Sequence, residues 1–148
     1  MKAAGRPTDM FEFSTQFRVR YADTDQMGYV YYGNYARYFE IGRVEALRSL
    51  GISYRQLEAD GVMMPVLENY SKYLRPAHYD ELLSIKVMLK EMPSARIRFD
   101  YEISRENGEL IHFGHTVLVF VSVPGKKVVT APDSVQKALE EFFKKSPE

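Results

Sequence analysis

The chain has no cysteine and no tryptophan, and it holds only three histidines in 148 residues. Without cysteine there is no disulfide, no thiolate metal site and no cysteine nucleophile. An excess of either charge is also missing, because Lys plus Arg and Asp plus Glu both number 20. That balance does not mark a general nucleic-acid binder, so no nucleic-acid partner is expected. No apolar run is long enough to span a membrane, and no signal-peptide apolar stretch follows Met1. The expected compartment is therefore the cytoplasm. The G-x-S-x-G elbow, the phosphate-binding loop and the dinucleotide fingerprint are absent too, which removes the commonest hydrolase and nucleotide motifs.

What the chain does have is flat rings, with 11 tyrosines and 9 phenylalanines. They suit an aromatic core or interface and are compatible with an acyl or aryl pocket. The length fits one domain over residues 1–148 with a sizeable core, and residues 1–10 read as a flexible tail. Phe11, Phe13, Phe17 and Val19 alternate with polar residues as in a half-buried strand. A helix is expected from about Asn34 to Leu50, stopped by Gly51. Tyr35, Tyr38, Phe39, Gly42 and Ala46 share one of its faces, and Ile41, Val44 and Leu47 lie opposite. That pattern predicts burial on more than one side. Ser53 with Gln56 fits a capping box for a short second helix ending near Gly61.

Beyond Gly61 the period becomes two, over Val66–Leu74, Ser84–Lys90, Arg96–Ile103 and Ile111–Val123. The longest alternation is Ile111, Phe113, His115, Val117, Val119, Val121 and Val123. Asn107-Gly108 is a strong hairpin signal between two of these strands. A last helix is expected from Asp133 or Ser134. Strand, long helix and then a run of antiparallel strands make an α+β fold with one helix laid on a curved sheet. A single sheet with open edges predicts an oligomer.

The segment Tyr21–Tyr35 carries the most chemistry. It sets Asp23 and Asp25 in a turn between the first strand and the long helix, with Gly28 and Gly33 letting the backbone approach closely. A carboxylate beside free N–H groups at a helix start can attack or activate water while those groups hold an oxyanion. The alternative is a loop with an Asp cap. Asp23 reads as the structural member of the pair.

The string D-x-D-x-x-G-x-V-Y-x-x-x-Y on a strand-to-helix turn, with Arg20, Tyr21, Asn34, Phe39-Glu40, Arg43, Tyr73 and Arg75-Pro76-Ala77, resembles the hotdog-fold acyl-CoA thioesterases. More narrowly it is similar to the 4-hydroxybenzoyl-CoA thioesterase family and its Tol-Pal-associated branch. The resemblance covers roughly residues 11–143. It implies a hotdog fold, hydrolysis of an acyl-CoA or acyl-carrier-protein thioester, and a homodimer or homotetramer with the site between subunits. It implies no cofactor and no metal, coenzyme A being part of the substrate. Asp25 takes the place of the catalytic carboxylate, as nucleophile or general base. Tyr32 stands where the family uses a backbone N–H to polarise the thioester carbonyl. The Tol-Pal-associated branch often has His there, so an imidazole is absent here. Gly28, Val30, Tyr31 and Tyr35 are the expected substrate-binding residues.

Other readings weigh less. His112 and His115 form H-x-x-H, but residues three apart on a strand face opposite sides and do not chelate one metal. His115 is expected as a satisfied core or interface histidine, and His78 as exposed. Glu40 and Arg43 are spaced for an ion pair, with a role for Glu40 in the site as the alternative. Lys126 and Lys127 suit either a solvated turn or the phosphates of coenzyme A. A hotdog-fold hydratase generally uses a histidine near the main helix, and none occurs between Met1 and Ala77. A non-catalytic acyl-binding protein is the remaining alternative.

Overall fold

The structure, a computed structural model, describes residues 10–143, so the tail expected over residues 1–10 lies almost wholly outside it. Strand β1, Phe11–Arg18, buries or half-buries its phenylalanines and exposes Glu12, Ser14, Gln16 and Arg18. Helix α1 follows over Tyr35–Ser49 and helix α2 over Tyr54–Ala59. The strands β2 (Val62–Met63), β3 (Val66–Tyr73), β4 (Leu82–Leu89), β5 (Arg96–Arg105), β6 (Leu110–Val119), β7 (Val121–Ser122) and β8 (Lys127–Val128) come next, then helix α3 (Asp133–Leu139). Five of these strands form an antiparallel sheet in the order β1-β4-β5-β6-β3, and β2-β7-β8 form a small second sheet.

Helix α1 packs on the inner face of the large sheet. Its Tyr38, Phe39, Ala46 and Leu47 are buried with Ile85 and Val87 of β4 and Phe99 and Tyr101 of β5. Gly42 permits the close approach, since a Cβ there would come within 2.9 Å of the Val87 side chain. Overpacking of that kind costs about 1–3 kcal/mol. The opposite side of α1 is more open than its pattern predicts. Leu47 is buried, but Ile41 is exposed and Val44 only half-buried. A helix over a single sheet has one covered side, whatever its apolar content.

Local signals worked as the residues suggest. Ser53 Oγ accepts from the Gln56 N–H at 3.0 Å, and Gly61 ends the turn after α2 at φ 89°. The capping box is only half formed, because the Gln56 side chain bonds Asp60 instead. Asn107-Gly108 makes the β5–β6 hairpin, with Gly108 at φ 93°.

The long C-terminal alternation is corrected in two ways. It breaks at Phe120, with Val121–Ser122 leaving for the small sheet. Its inward face is also the other one. His112, Gly114, Thr116, Leu118 and Phe120 are buried, whereas Phe113, His115, Val117 and Val119 are only half-buried on the outer face. Register is the cause. Leu118, Thr116, Gly114 and His112 pair with the buried Ile97, Phe99, Tyr101 and Ile103 of β5. Gly114 leaves room for Phe39, since a Cβ there would meet both the Phe39 ring and the Tyr70 carbonyl.

Candidate active site

The loop from β1 to α1 is built around Asp23. Its carboxylate accepts from the Arg20 N–H at 2.9 Å, the Tyr38 hydroxyl at 2.9 Å and the Arg37 guanidinium at 2.5 Å. Its carbonyl accepts from the Tyr31 N–H and the Asn34 side chain. Burial alone would raise this carboxyl, but those three donors hold it below the ordinary aspartate range. Asp23 is therefore fully engaged in tying the loop to α1, the structural task its position suggests.

Asp25 is placed differently. It is only half-buried, and its Oδ1 accepts from the Met27 N–H at 3.0 Å. The other oxygen has no partner among the described residues. Gly28 closes the turn at φ 83°, donating to the Asp25 carbonyl, and the Asp25 N–H donates to the Tyr29 carbonyl. The Val30 N–H is fixed to the Ala77 carbonyl at 2.8 Å, so the loop lies across the end of β3.

A 3-10 turn, Tyr32–Asn34, leads into α1. The Tyr32 and Gly33 N–H groups at its start have no acceptor among the described residues. Unsatisfied donors are normal at a helix start, and Tyr32 lies at the wall of a cavity, with Gly33 next to it in the chain. The Tyr31 ring lies against Gly33, where a Cβ would sit 2.9 Å from it.

The cavity has a volume of about 410 Å³. Asp25, Val30, Tyr31, Tyr32 and Tyr35 line it from the loop and α1, and Tyr73, Leu74, Arg75 and Pro76 line it from the end of β3. Met27 and Tyr29 complete the wall. Of the residues expected to bind substrate, Gly28 does not line the cavity, and its contribution is the left-handed turn beside Asp25. The Tyr73 hydroxyl approaches the Tyr32 carbonyl at 3.4 Å, and the Tyr35 and Tyr73 rings meet edge to face at 5.5 Å. Burial pushes the Tyr35 phenol up to about 12, so it stays neutral. Arg105 holds the β3 exit by donating to the Pro76 carbonyl while paired with Glu81 and Glu109. Leu74 and Met27 carried no signal in the sequence, being ordinary apolar residues in loops. Tyr73, Arg75 and Pro76 stood in the family pattern without a role.

The remaining residues sort as follows. Glu40 is exposed and does not line the cavity. Arg43 is buried and does not pair with Glu40; its guanidinium donates to the Tyr54 hydroxyl at 2.9 Å and the Tyr101 hydroxyl at 3.5 Å. His78 is exposed, beside the Tyr29 ring. His115 lies on the outer sheet face, bonded to Glu68 at 2.7 Å, and the core histidine is His112 instead. Lys126 and Lys127 belong to the β7–β8 hairpin and do not line the cavity. Among the described residues no group of His, Cys, Asp and Glu could hold a metal ion.

Comparison with known proteins places this geometry among relatives. A family model described as the thioesterase-like superfamily matches residues 19–139. The chain is 30% identical over 127 residues to the acyl-CoA thioesterase YbgC of Haemophilus influenzae, covering 85% of this chain and 93% of that protein. It is 27% identical over 143 residues to a 1,4-dihydroxy-2-naphthoyl-CoA hydrolase of Thermosynechococcus vestitus, covering 96% and 94%. A DHNA-CoA thioesterase from Staphylococcus aureus superposes with a TM-score of 0.77 at 32% identity, covering 89% of this chain and 83% of that one.

Proposed function

The chain belongs to the thioesterase-like superfamily, and from that premise we propose that Asp25 and the Tyr32 N–H cleave the thioester of an acyl-CoA. The fold is the hotdog fold and the reaction class is thioester hydrolysis. Water is consumed, the C–S bond breaks, and a carboxylic acid and coenzyme A leave. A thioester carbonyl is electrophilic and its thiolate leaves readily, so a carboxylate with oxyanion stabilisation suffices. Asp25 either attacks the carbonyl or takes the proton of the attacking water. The Tyr32 N–H carries the oxyanion, with the Gly33 N–H beside it. Tyr31, Tyr35 and Val30 contact the acyl group, and Gly28 holds the turn that presents Asp25. No cofactor takes part.

The observation that carries the proposal is a shared wall. Asp25, with one carboxylate oxygen uncommitted, and Tyr32, whose helix-start N–H has no partner among the described residues, border one cavity of about 410 Å³. Thiol release from a panel of short, long and aryl acyl-CoAs tests it. Asp25→Asn lowers kcat at least about a hundredfold with the fold retained, the scale for losing a positioned base. Near wild-type turnover by folded Asp25→Asn overturns the role of Asp25, and no thiol release across the panel overturns the reading itself.

The assembly we propose is a homodimer, paired further into a homotetramer, with the dimer made at the edge strand β3. This strand is exposed along almost its whole length, with Val66, Leu67, Tyr70 and Tyr73 all at least 45% accessible. An open apolar edge is a pairing surface. Tyr73 belongs both to that edge and to the cavity wall, so a second subunit would close the site. No helix among the described residues is long and apolar enough to cross a membrane, and we place the protein in the cytoplasm.

A further inference from the structure

His112 takes part in no step described above. It nevertheless carries the one buried side-chain nitrogen without a hydrogen-bond partner among the described residues, Nδ1. The residue is completely buried on β6. Its ring stacks on Tyr35 at 3.9 Å between centroids and 9° between planes. Tyr73 meets the same imidazole edge to face at 4.8 Å, and Phe39 packs at 5.5 Å. Nε2 is tethered to Ser71 Oγ at 3.1 Å. Tyr35 and Tyr73 are both walls of the cavity, so His112 lies immediately behind its lining.

Stability alone does not account for an imidazole at this position. An unpartnered buried nitrogen is destabilising, and an apolar side chain would avoid it. Burial also pushes the His112 pKa down to about 4, so the ring is neutral near pH 7. What the imidazole supplies is a flat plate of fixed depth, held by Ser71 against rotation, on which two tyrosine rings seat.

We infer that His112 sets the depth of the acyl cavity by backing Tyr35 and Tyr73, and thereby limits the size of the acyl group accepted. The inference rests on the thioesterase reading above. Protein interiors are close-packed, so the two rings cannot retreat while the imidazole is in place. Removing it leaves space that the surroundings only partly refill. Either the tyrosines move back or the far end of the acyl group enters. The residue acts through its neighbours and is a positioning residue for specificity.

Two measurements on the full chain test this. One is equilibrium binding of non-hydrolysable S-alkyl-CoA thioethers of increasing chain length. The other is thiol release from acyl-CoAs of the same lengths. His112→Ala should shift the long-over-short ratio of kcat/KM by at least about tenfold towards the long substrate, the lower scale for a methylene-sized change in a pocket. The thioether Kd ratio should move the same way. His112→Phe fills the same space with a slightly larger ring and should not shift either ratio towards the long substrate. If His112→Ala does not fold, His112→Val takes its place, since a β-branched residue suits a strand. A purely structural His112 lowers all substrates alike with the ratio unchanged, and unchanged ratios in a folded variant overturn the inference. Wild type that binds thioethers but releases no thiol overturns the hydrolytic reading alone, and the Kd ratio still decides the depth. Wild type that binds no thioether overturns both.

Discussion

Acidification should destabilise this protein through His112 before it reaches the buried Asp23. The ordinary imidazole value is 6.5, and burial takes the folded-state value to about 4. The folded pKa lies below the unfolded one, so the unfolded chain binds the extra proton. The contribution is therefore fully present above pH 6.5, is lost as pH falls towards 4, and levels off below that. Linkage over this interval gives a loss of about 2 kcal/mol between pH 7 and pH 5 and about 3 kcal/mol by pH 4. For a chain of this length 2 kcal/mol is a Tm shift of about 6 °C. Asp23 does not confuse the window. Its carboxyl is held below the ordinary 3.8, so its contribution is present above that value and is lost only as pH falls further. The assay is urea unfolding at several pH values, for wild type and His112→Phe at one protein concentration. The chain has no tryptophan, so circular dichroism is the signal to follow. The unfolding free energy of wild type should fall by about 2 kcal/mol relative to that of His112→Phe from pH 7 to pH 5. Parallel curves over that interval would refute the burial argument.

Asp23→Asn should lower stability by about 1–3 kcal/mol, the cost of weakening buried hydrogen bonds to a charged group, and should reduce kcat less than Asp25→Asn does. The reverse ranking in denaturation and thiol-release assays would mean that the carboxylates were assigned the wrong way round. Tyr32→Pro removes one oxyanion donor and should cut kcat at least a hundredfold, about 2.7–4 kcal/mol, while Tyr32→Phe stays near wild type. Tyr31 already sits at φ −62° and ψ 134°, a region that a following proline accepts, so the fold should survive and circular dichroism checks it. Strong loss in Tyr32→Phe would transfer the role to the phenol. Leu67→Lys places a charge on the open β3 edge and should shift sedimentation from dimer to monomer; an unchanged dimer would move the interface elsewhere.

Much of this molecule is determined by short stretches of sequence. The alternation Ile97, Phe99, Tyr101, Ile103 faces inward as read, since the intervening Arg96, Arg98 and Glu102 leave one apolar face. Helix α1, the Ser53 cap and the Asn107-Gly108 hairpin follow from period, capping and turn chemistry within a few residues. The loop holding Asp23, Asp25 and Tyr32 is contiguous, which is why its motif could be recognised. Tertiary structure alone decided the rest. Along β6 both faces carry apolar residues, so the period was visible but not the phase. Pairing with β5 and the bulk of Phe39 chose the face holding His112 and Gly114. Arg43 has partners in Tyr54 and Tyr101, on elements that only the folded chain brings to it. The position of Asp23 suggested a structural task, but its partners Arg37 and Tyr38, one helix away, are supplied by the folded chain. The cavity needs Tyr73 to Pro76, set against the loop by long-range hydrogen bonds. Local sequence carries propensity and period, but which surfaces meet is fixed by packing between segments far apart in the chain.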